Sequence, residues 1–302
     1  MRENTTNKQE TALHRFLHSE FVYNYRHNVS AIIGTVIVVF MLIMAILGPL
    51  FAPQNPYDVG SLSLSNAYLS PAWMENGDSR FLLGTDSQGR DILSSLIYGS
   101  RISLFIGILG TAFSCIIGVT LGLISGFYGG KIDAIIMRFA DILLSFPSML
   151  IALFIMSMFG RGVDKLLIVF TLLGCVTYIR TVRAEVLSVK NVEYVDAARV
   201  IGIPNARILL KHILPNVATT IIVLSTMKVG NLVLSEATLS FLGVGVPVTE
   251  PSLGMLVKNG FDVLFSGYWW IAVMPGLYIM LLVFGINLLG DFLRDEFNPK
   301  LK

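Results

Sequence analysis

The sequence predicts an all-α membrane protein with about six membrane-crossing helices, and three observations carry that reading. Composition is the first: hydrophobic residues make up 54% of the 302 and charged residues only 14%, where an ordinary soluble domain is about a quarter charged. Mean hydropathy is +0.71, so much of the surface faces something other than water. The second is a series of apolar runs near the length of about 20 residues that a helix needs to cross a hydrocarbon layer. The third is the uneven placement of Lys and Arg along the chain.

Taken in order, residues 1–28 read as a polar tail followed by an interfacial helix. Leu13, Phe16, Leu17 and Phe21 recur at helical spacing among His14, Arg15, His18 and Glu20, a pattern suited to lying in a membrane surface. The run 29–51 carries no charge, exceeds a signal-peptide core and has no small-residue cleavage site after it, so it reads as a retained first span. A structured loop at 52–100 follows. Pro53, Pro56 and Gly60 break the chain early, and Gly84 and Gly89 suit tight turns. Asp86, Arg90 and Asp91 form a candidate ion-pair cluster, with Asp91 placed to cap a helix starting at Ile92. This cluster reads either as a clasp on the helix ends or as a landing surface for an outside partner.

Further spans are expected at about 102–125, 133–159, 165–187, 216–242 and 268–290, inside a core of 101–290 that leaves a tail at 291–302. Gly118, Gly122 and Gly126 recur every four residues, which lets a neighbouring helix come close. The span from 165 is the least apolar; Arg180 and Arg183 near its end read as snorkelling to the headgroups. Arg138 and Asp141 stand at the i,i+3 spacing of a local ion pair. With the N-terminus inside, 15 of the 22 basic residues fall on the inner side and six outside, leaving Lys228 within a span. Both termini are then cytoplasmic.

Between the fourth and fifth expected spans lies a charged segment with helix signals of its own, at 191–215. Asn191 is a candidate N-cap, and Glu193 and Asp196 put negative charge at the positive end of the helix dipole. Gly202 supplies a left-handed C-terminal turn, Pro204 suits the start of a second short helix, and Pro215 reads as the turn into the next span. On physics alone the element is either a loop on headgroups or a docking site for another protein.

The pattern DAA-x3-G-x11-LP, formed by Asp196, Ala197, Ala198, Gly202, Leu214 and Pro215, resembles the EAA loop of importer-type ABC-transporter permeases. Asp196 stands where Glu is usual and His212 where Ile is usual. GTDSQGRD (84–91), YGSRISL (98–104), MRFADILLSFP (137–147), SEATLSFLGVG (235–245) and NLLGDFLRDEFNPKLK (287–302) are similar to the C-type subunits of dipeptide and oligopeptide permeases. Nickel, glutathione and opine importers share these motifs. The resemblance implies a type I importer permease in a bacterial inner membrane, forming half of a pathway with a homologous B-type permease. It further implies two cytoplasmic ATPases holding ATP and magnesium, a delivery protein outside, and a coupling helix at the EAA loop (Glu193, Asp196, Ala197, Ala198, Gly202, Leu214, Pro215). The chain itself binds no cofactor on this reading: its nearest approach to a Walker A sequence has Ser125 where Gly is needed and Ile132 where Ser or Thr holds magnesium.

Lys228 and Glu236 are expected inside the fifth span, about two turns apart, and charges at that depth usually face a wet interior. They are candidate pathway residues, with pairing to a partner subunit as the other reading. A net charge of +2 gives no basic field for nucleic acid, so lipid is the expected environment. Cys115 and Cys175 lie in apolar runs and read as plain buried thiols, with no metal site implied. An ion-coupled secondary transporter is the rival class; the broken spans or inverted repeats that would mark it are not evident in the sequence. A membrane enzyme is weaker, since HExxH and GxSxG are both absent.

Overall fold

Inside hydrocarbon every unpaired peptide group is costly, so apolar runs fold into helices that satisfy their own backbone. The computed structural model describes residues 20–297, apart from 59, 61, 76 and 248. Among them there are helices and two isolated β-bridges but no strands. The helices are α1 (Glu20–His27), α2 (Val29–Leu47), α3 (Ile92–Tyr128), α4 (Gly130–Leu144), α5 (Ser148–Phe159) and α6 (Val163–Val189). They continue as α7 (Glu193–Val200), α8 (Asn205–Phe241), α9 (Leu253–Phe261) and α10 (Trp270–Phe297).

Five helices are long and apolar enough to cross a membrane: α2 with its short extension, α3, α6, α8 and α10. The expected single span at 133–159 is instead two helices, α4 and α5, bent by 84°. Pro147 is the cause. Its preceding residues leave the helix, and Pro147 itself is extended at φ −56 and ψ 126. Only by counting that broken pair as one span does the total reach six.

Other boundaries also move. The loop at 52–100 ends earlier, because α3 begins at Ile92; its 37 residues run about 55 Å, well beyond a bilayer's hydrocarbon. The extra outer turns are polar yet buried, with Ser94, Ser95, Ser100 and Ser103 all covered by neighbouring segments. The tail at 291–302 is helical to Phe297. There α1 docks on α10: Phe21 packs edge-on against Phe292, and Asn24 donates to the Glu296 carboxylate at 2.9 Å. The other interfacial positions expected near the N-terminus, Leu13, Phe16 and Leu17, lie outside the described residues.

α3 and α6 make the most extensive contact in the molecule. The glycine stripe explains it. A Cβ at Gly118 would stand 2.6 Å from the Cys175 carbonyl, and one at Gly122 would stand 2.9 Å from that of Ile179. Two backbones therefore touch where side chains would hold them apart. Around this pair α8 and α10 complete the bundle, α2 packs against α10, and α9 packs against α8 and α10.

Two transverse ion pairs join α4 to α6. Asp133 accepts from Arg183 at 2.5 and 2.7 Å, and Asp141 pairs with Arg180. The expected local pair of Arg138 and Asp141 is thus replaced by a tertiary one; Arg138 is exposed. Arg180 and Arg183 do not merely snorkel: each finds a carboxylate on the neighbouring helix.

The loop between α2 and α3 is pinned to the start of α3. Asp86 is buried and accepts from the backbone of Gln88 and Arg90 and from Arg90 Nε at 2.7 Å. Asp91 caps α3 as expected, accepting from Ser94 N at 2.8 Å and Ser94 Oγ at 2.6 Å. It does not join the ion pair, and burial raises its carboxyl above the ordinary carboxylate range. All three members of the cluster face inward.

Candidate functional site

One face of the bundle gathers the C-terminal ends of α3, α6 and α10 and the start of α8, and α7 lies across it. α7 is short, and its stop signal is stronger than its start. Val192, not Asn191, is the N-cap residue: its carbonyl accepts from Val195 and Asp196, and no side chain caps the helix. At the other end Gly202 takes φ +81, Gly202 N donates to Arg199 O and Ile203 N donates to Ala198 O, at 3.0 and 3.1 Å. That pair of bonds is a Schellman turn, which glycine alone enters without strain.

The helix has two faces. Val195 and Ala198 are buried in a cluster with Val119 and Leu123 of α3, Tyr178, Val182 and Val186 of α6, and Ile208, Ile213 and Val217 of α8. Opposite them Glu193, Asp196 and Ala197 are exposed, beside Val200 and Ile201 at 88% and 78%. Two large apolar side chains are thus bared next to charged ones on this element. Lys190 Nζ donates to Gly126 O at 3.0 Å, and Arg199 lies over the Phe127 ring. The first contact joins the end of α6 to α3 just ahead of α7, and the second ties α7 itself to the end of α3.

Pro215 does not turn the chain. Residues 209–213 form a π-helical segment, and α8 runs unbroken from Asn205 through Leu214 and Pro215. The widened turn accommodates a proline that has no N–H to give and would crowd an ordinary α-turn. The His212 carbonyl, lying in that turn, accepts from Asn216 Nδ2 at 2.6 Å.

A cleft of about 740 Å³ opens between α6, α8 and α10. Its walls include Thr181, Glu185 and Ser188 of α6, Asn216, Thr219 and Thr220 of α8, and Arg294 of α10. Sequence reasoning missed this stripe, although the polar residues recur every three or four positions on both helices. Lys228 lies deeper on α8, its Nζ donating to Thr177 Oγ1 at 3.4 Å. Glu236 is elsewhere. It is fully buried, accepting from Ser103 Oγ at 2.6 Å and Ser240 Oγ at 2.7 Å. Ser103 also meets Leu253 N and Ser240 meets Val246 N, so the carboxyl ties α3, α8 and the outer segment together. It has no exposed surface, whereas a charge at that depth was expected to face a wet interior. Among the described residues no group of three His, Cys, Asp or Glu could hold a metal.

The family model for the inner membrane component of binding-protein-dependent transport systems matches residues 118–302, more than half of the chain. The chain belongs to that family. A second model, the N-terminal transmembrane domain of oligopeptide transport permease C, matches residues 17–71. The permease chain is 38% identical to the dipeptide transport system permease protein DppC of Haemophilus influenzae, over 94% of this chain and 95% of that one. It is 39% identical to the oligopeptide transport system permease protein OppC of Bacillus subtilis, covering 95% and 90%. It is 41% identical to DppC of Escherichia coli K12, covering 94% and 93%. A chain of the MetNI methionine ABC transporter, solved in inward-facing conformations, shares the fold with a TM-score of 0.54 at 19% identity, over 65% of this chain and 93% of that one. The protein is therefore a transport permease, a membrane subunit and not an enzyme.

Proposed function

We propose that this permease is the C-type subunit of an ATP-driven importer of di- or oligopeptides. It pairs with a homologous B-type permease, receives cargo from an extracytoplasmic binding protein and is driven by two ATPases that hold ATP and magnesium. The named relatives, which are dipeptide, di/tripeptide and oligopeptide permeases, support the cargo class. The α7 face is then cytoplasmic, together with both termini, in keeping with the Lys and Arg bias.

The observation that carries the reading is the two-sided α7. One side is packed against α3, α6 and α8, and the other offers Ala197, Val200 and Ile201 to a partner. Glu193 and Asp196 add charge at its rim, Gly202 sets its length, and Leu214 and Pro215, inside the continuous α8, carry the motion along that helix. An ATPase groove closing on ATP would move α7 as a rigid body. Site-directed crosslinking tests this: Ile201→Cys in the complete assembly should crosslink to an ATPase subunit, with a yield that changes between nucleotide-free and ATP-trapped states. Crosslinks to lipid alone in both states would remove α7 from coupling.

A further inference from the structure

Two charges along the α6–α8 seam lack counter-ions: Glu185 on the cleft wall, and Lys228 one turn of α8 beyond the lining residue Leu224. Among the described residues Glu185 accepts one hydrogen bond, from Thr220 Oγ1 at 3.3 Å, and forms no ion pair. Lys228 likewise has only Thr177 at 3.4 Å. Both are partly buried. The other charge on the cleft wall, Arg294, is already engaged by Asp291 at 3.4 Å and Asp295 at 3.5 Å. A half-buried charge with no partner costs free energy that a ligand of opposite sign recovers.

The spacing of the two charges is set twice over. Thr177 and Glu185 are eight residues apart on α6, and so are Thr220 and Lys228 on antiparallel α8. Eight residues of helix rise about 12 Å. An extended chain covers about 3.3–3.6 Å per residue, so a tripeptide spans a comparable distance between its ammonium and carboxylate, and a single amino acid does not. The volume of about 740 Å³ also lies in the range of small-ligand sites.

We infer that the cleft is a way-station for a short zwitterionic peptide, with Glu185 taking the ammonium group and Lys228 the carboxylate. Recognition would then rest on the two ends and tolerate any side chains between, which line up with Leu224, Val223 and the hydroxyls of Thr181 and Thr220. This deepens the peptide reading above and rests on it.

The test is uptake of trialanine by the complete assembly, with its binding protein, in proteoliposomes. Glu185→Gln and Lys228→Met should each lower uptake at least about tenfold, the scale of one charge-assisted bond. Exchanging the charges, Glu185→Lys with Lys228→Glu, should restore it, because a zwitterion can enter in the opposite sense. Single variants that match the native rate overturn the inference, as does an exchange that performs no better than either single variant. An assembly whose native form takes up no peptide sinks the cargo proposal instead. Should the variants not assemble, Thr219→Cys in the otherwise native chain reports directly. A cationic methanethiosulfonate should modify it about tenfold faster than an anionic one, through attraction to Glu185; equal or reversed rates refute the assignment.

Discussion

Gly202 offers the sharpest test of how α7 works. Its φ is +81, and a Cβ built there would meet nothing within 4 Å. Sterics with neighbours therefore contribute nothing, and the whole cost of substitution is the backbone's. For an L residue with a Cβ that cost is about 1–2 kcal/mol, less for Asn and more for a β-branched side chain. A shift of that size changes the ratio of formed to frayed turn by a factor of roughly 5–30. When the turn frays, the two bonds to Arg199 and Ala198 are lost and Val195 and Ala198 lose their fixed seat. ATP-coupled uptake by the purified assembly should thus fall in the order Gly, Asn, Ala, Val, with Val near zero and the amount of assembled complex little changed. A Val variant that transports at the native rate, or an Asn variant as poor as Val, would refute the reasoning.

Three further outcomes are expected. Gly122→Leu should cost about 1–3 kcal/mol or abolish expression, because its side chain would enter the Ile179 carbonyl and Val182; membrane yield and thermal unfolding in detergent measure it, and native yield counts against the close helix approach. Asp133→Asn and Arg183→Gln should show a coupling of about 1 kcal/mol in a double-mutant cycle, modest because the pair is partly exposed and screened; zero coupling would make the bidentate pair idle. For Asp91 the folded carboxyl lies above its unfolded value, so the folded state binds the proton more tightly and its contribution to stability is present at low pH. That contribution is lost as pH rises from about 4 through the raised value, and Asp91→Asn should flatten this part of the detergent melting profile; an unchanged slope would show the carboxyl is not its source.

Hydropathy reveals where a chain prefers lipid but not whether the helix there is straight. Pro147 was visible in the sequence, yet a proline inside an apolar run is compatible with a kink, a bulge or a break, and only packing chooses. The same ambiguity misled in the opposite sense at Pro215, where a turn was expected and a π-segment keeps α8 continuous. Gly202 was legible because a left-handed turn is a local property. Asn191 was not, since a good capping side chain can stand one residue too early to be used. The ion pairs failed for a similar reason. Local spacing suggested Arg138 for Asp141, whereas its partner Arg180 is 39 residues away. Glu236 was recognisable as a motif position, but its serine partners at 103, 240 and 252 come together only in the fold. No broken span was evident beforehand, and one exists; the family match, not that feature, decides the class.

The contrast between two helix contacts connects α7 to the cleft. α3 and α6 touch backbone to backbone along the glycine stripe, and Lys190 closes their ends by donating to Gly126. Such a seam leaves little room to slide, because each ångström of separation loses contacts along its full length. α6 and α8 share the apolar cluster around Tyr178 and Val217, and Tyr178 donates to Ser225 at 2.9 Å, but along the cleft side they meet through longer polar contacts, Thr220 to Glu185 at 3.3 Å and Lys228 to Thr177 at 3.4 Å. These long bonds exchange readily with a ligand or water. A displacement applied at Val195 and Ala198 therefore moves α3 and α6 together and is accommodated at the polar seam, where the proposed cargo groups lie. On the proposed reading the driven element and the solute station are coupled because the stiff interface and the soft one share a single helix, α6.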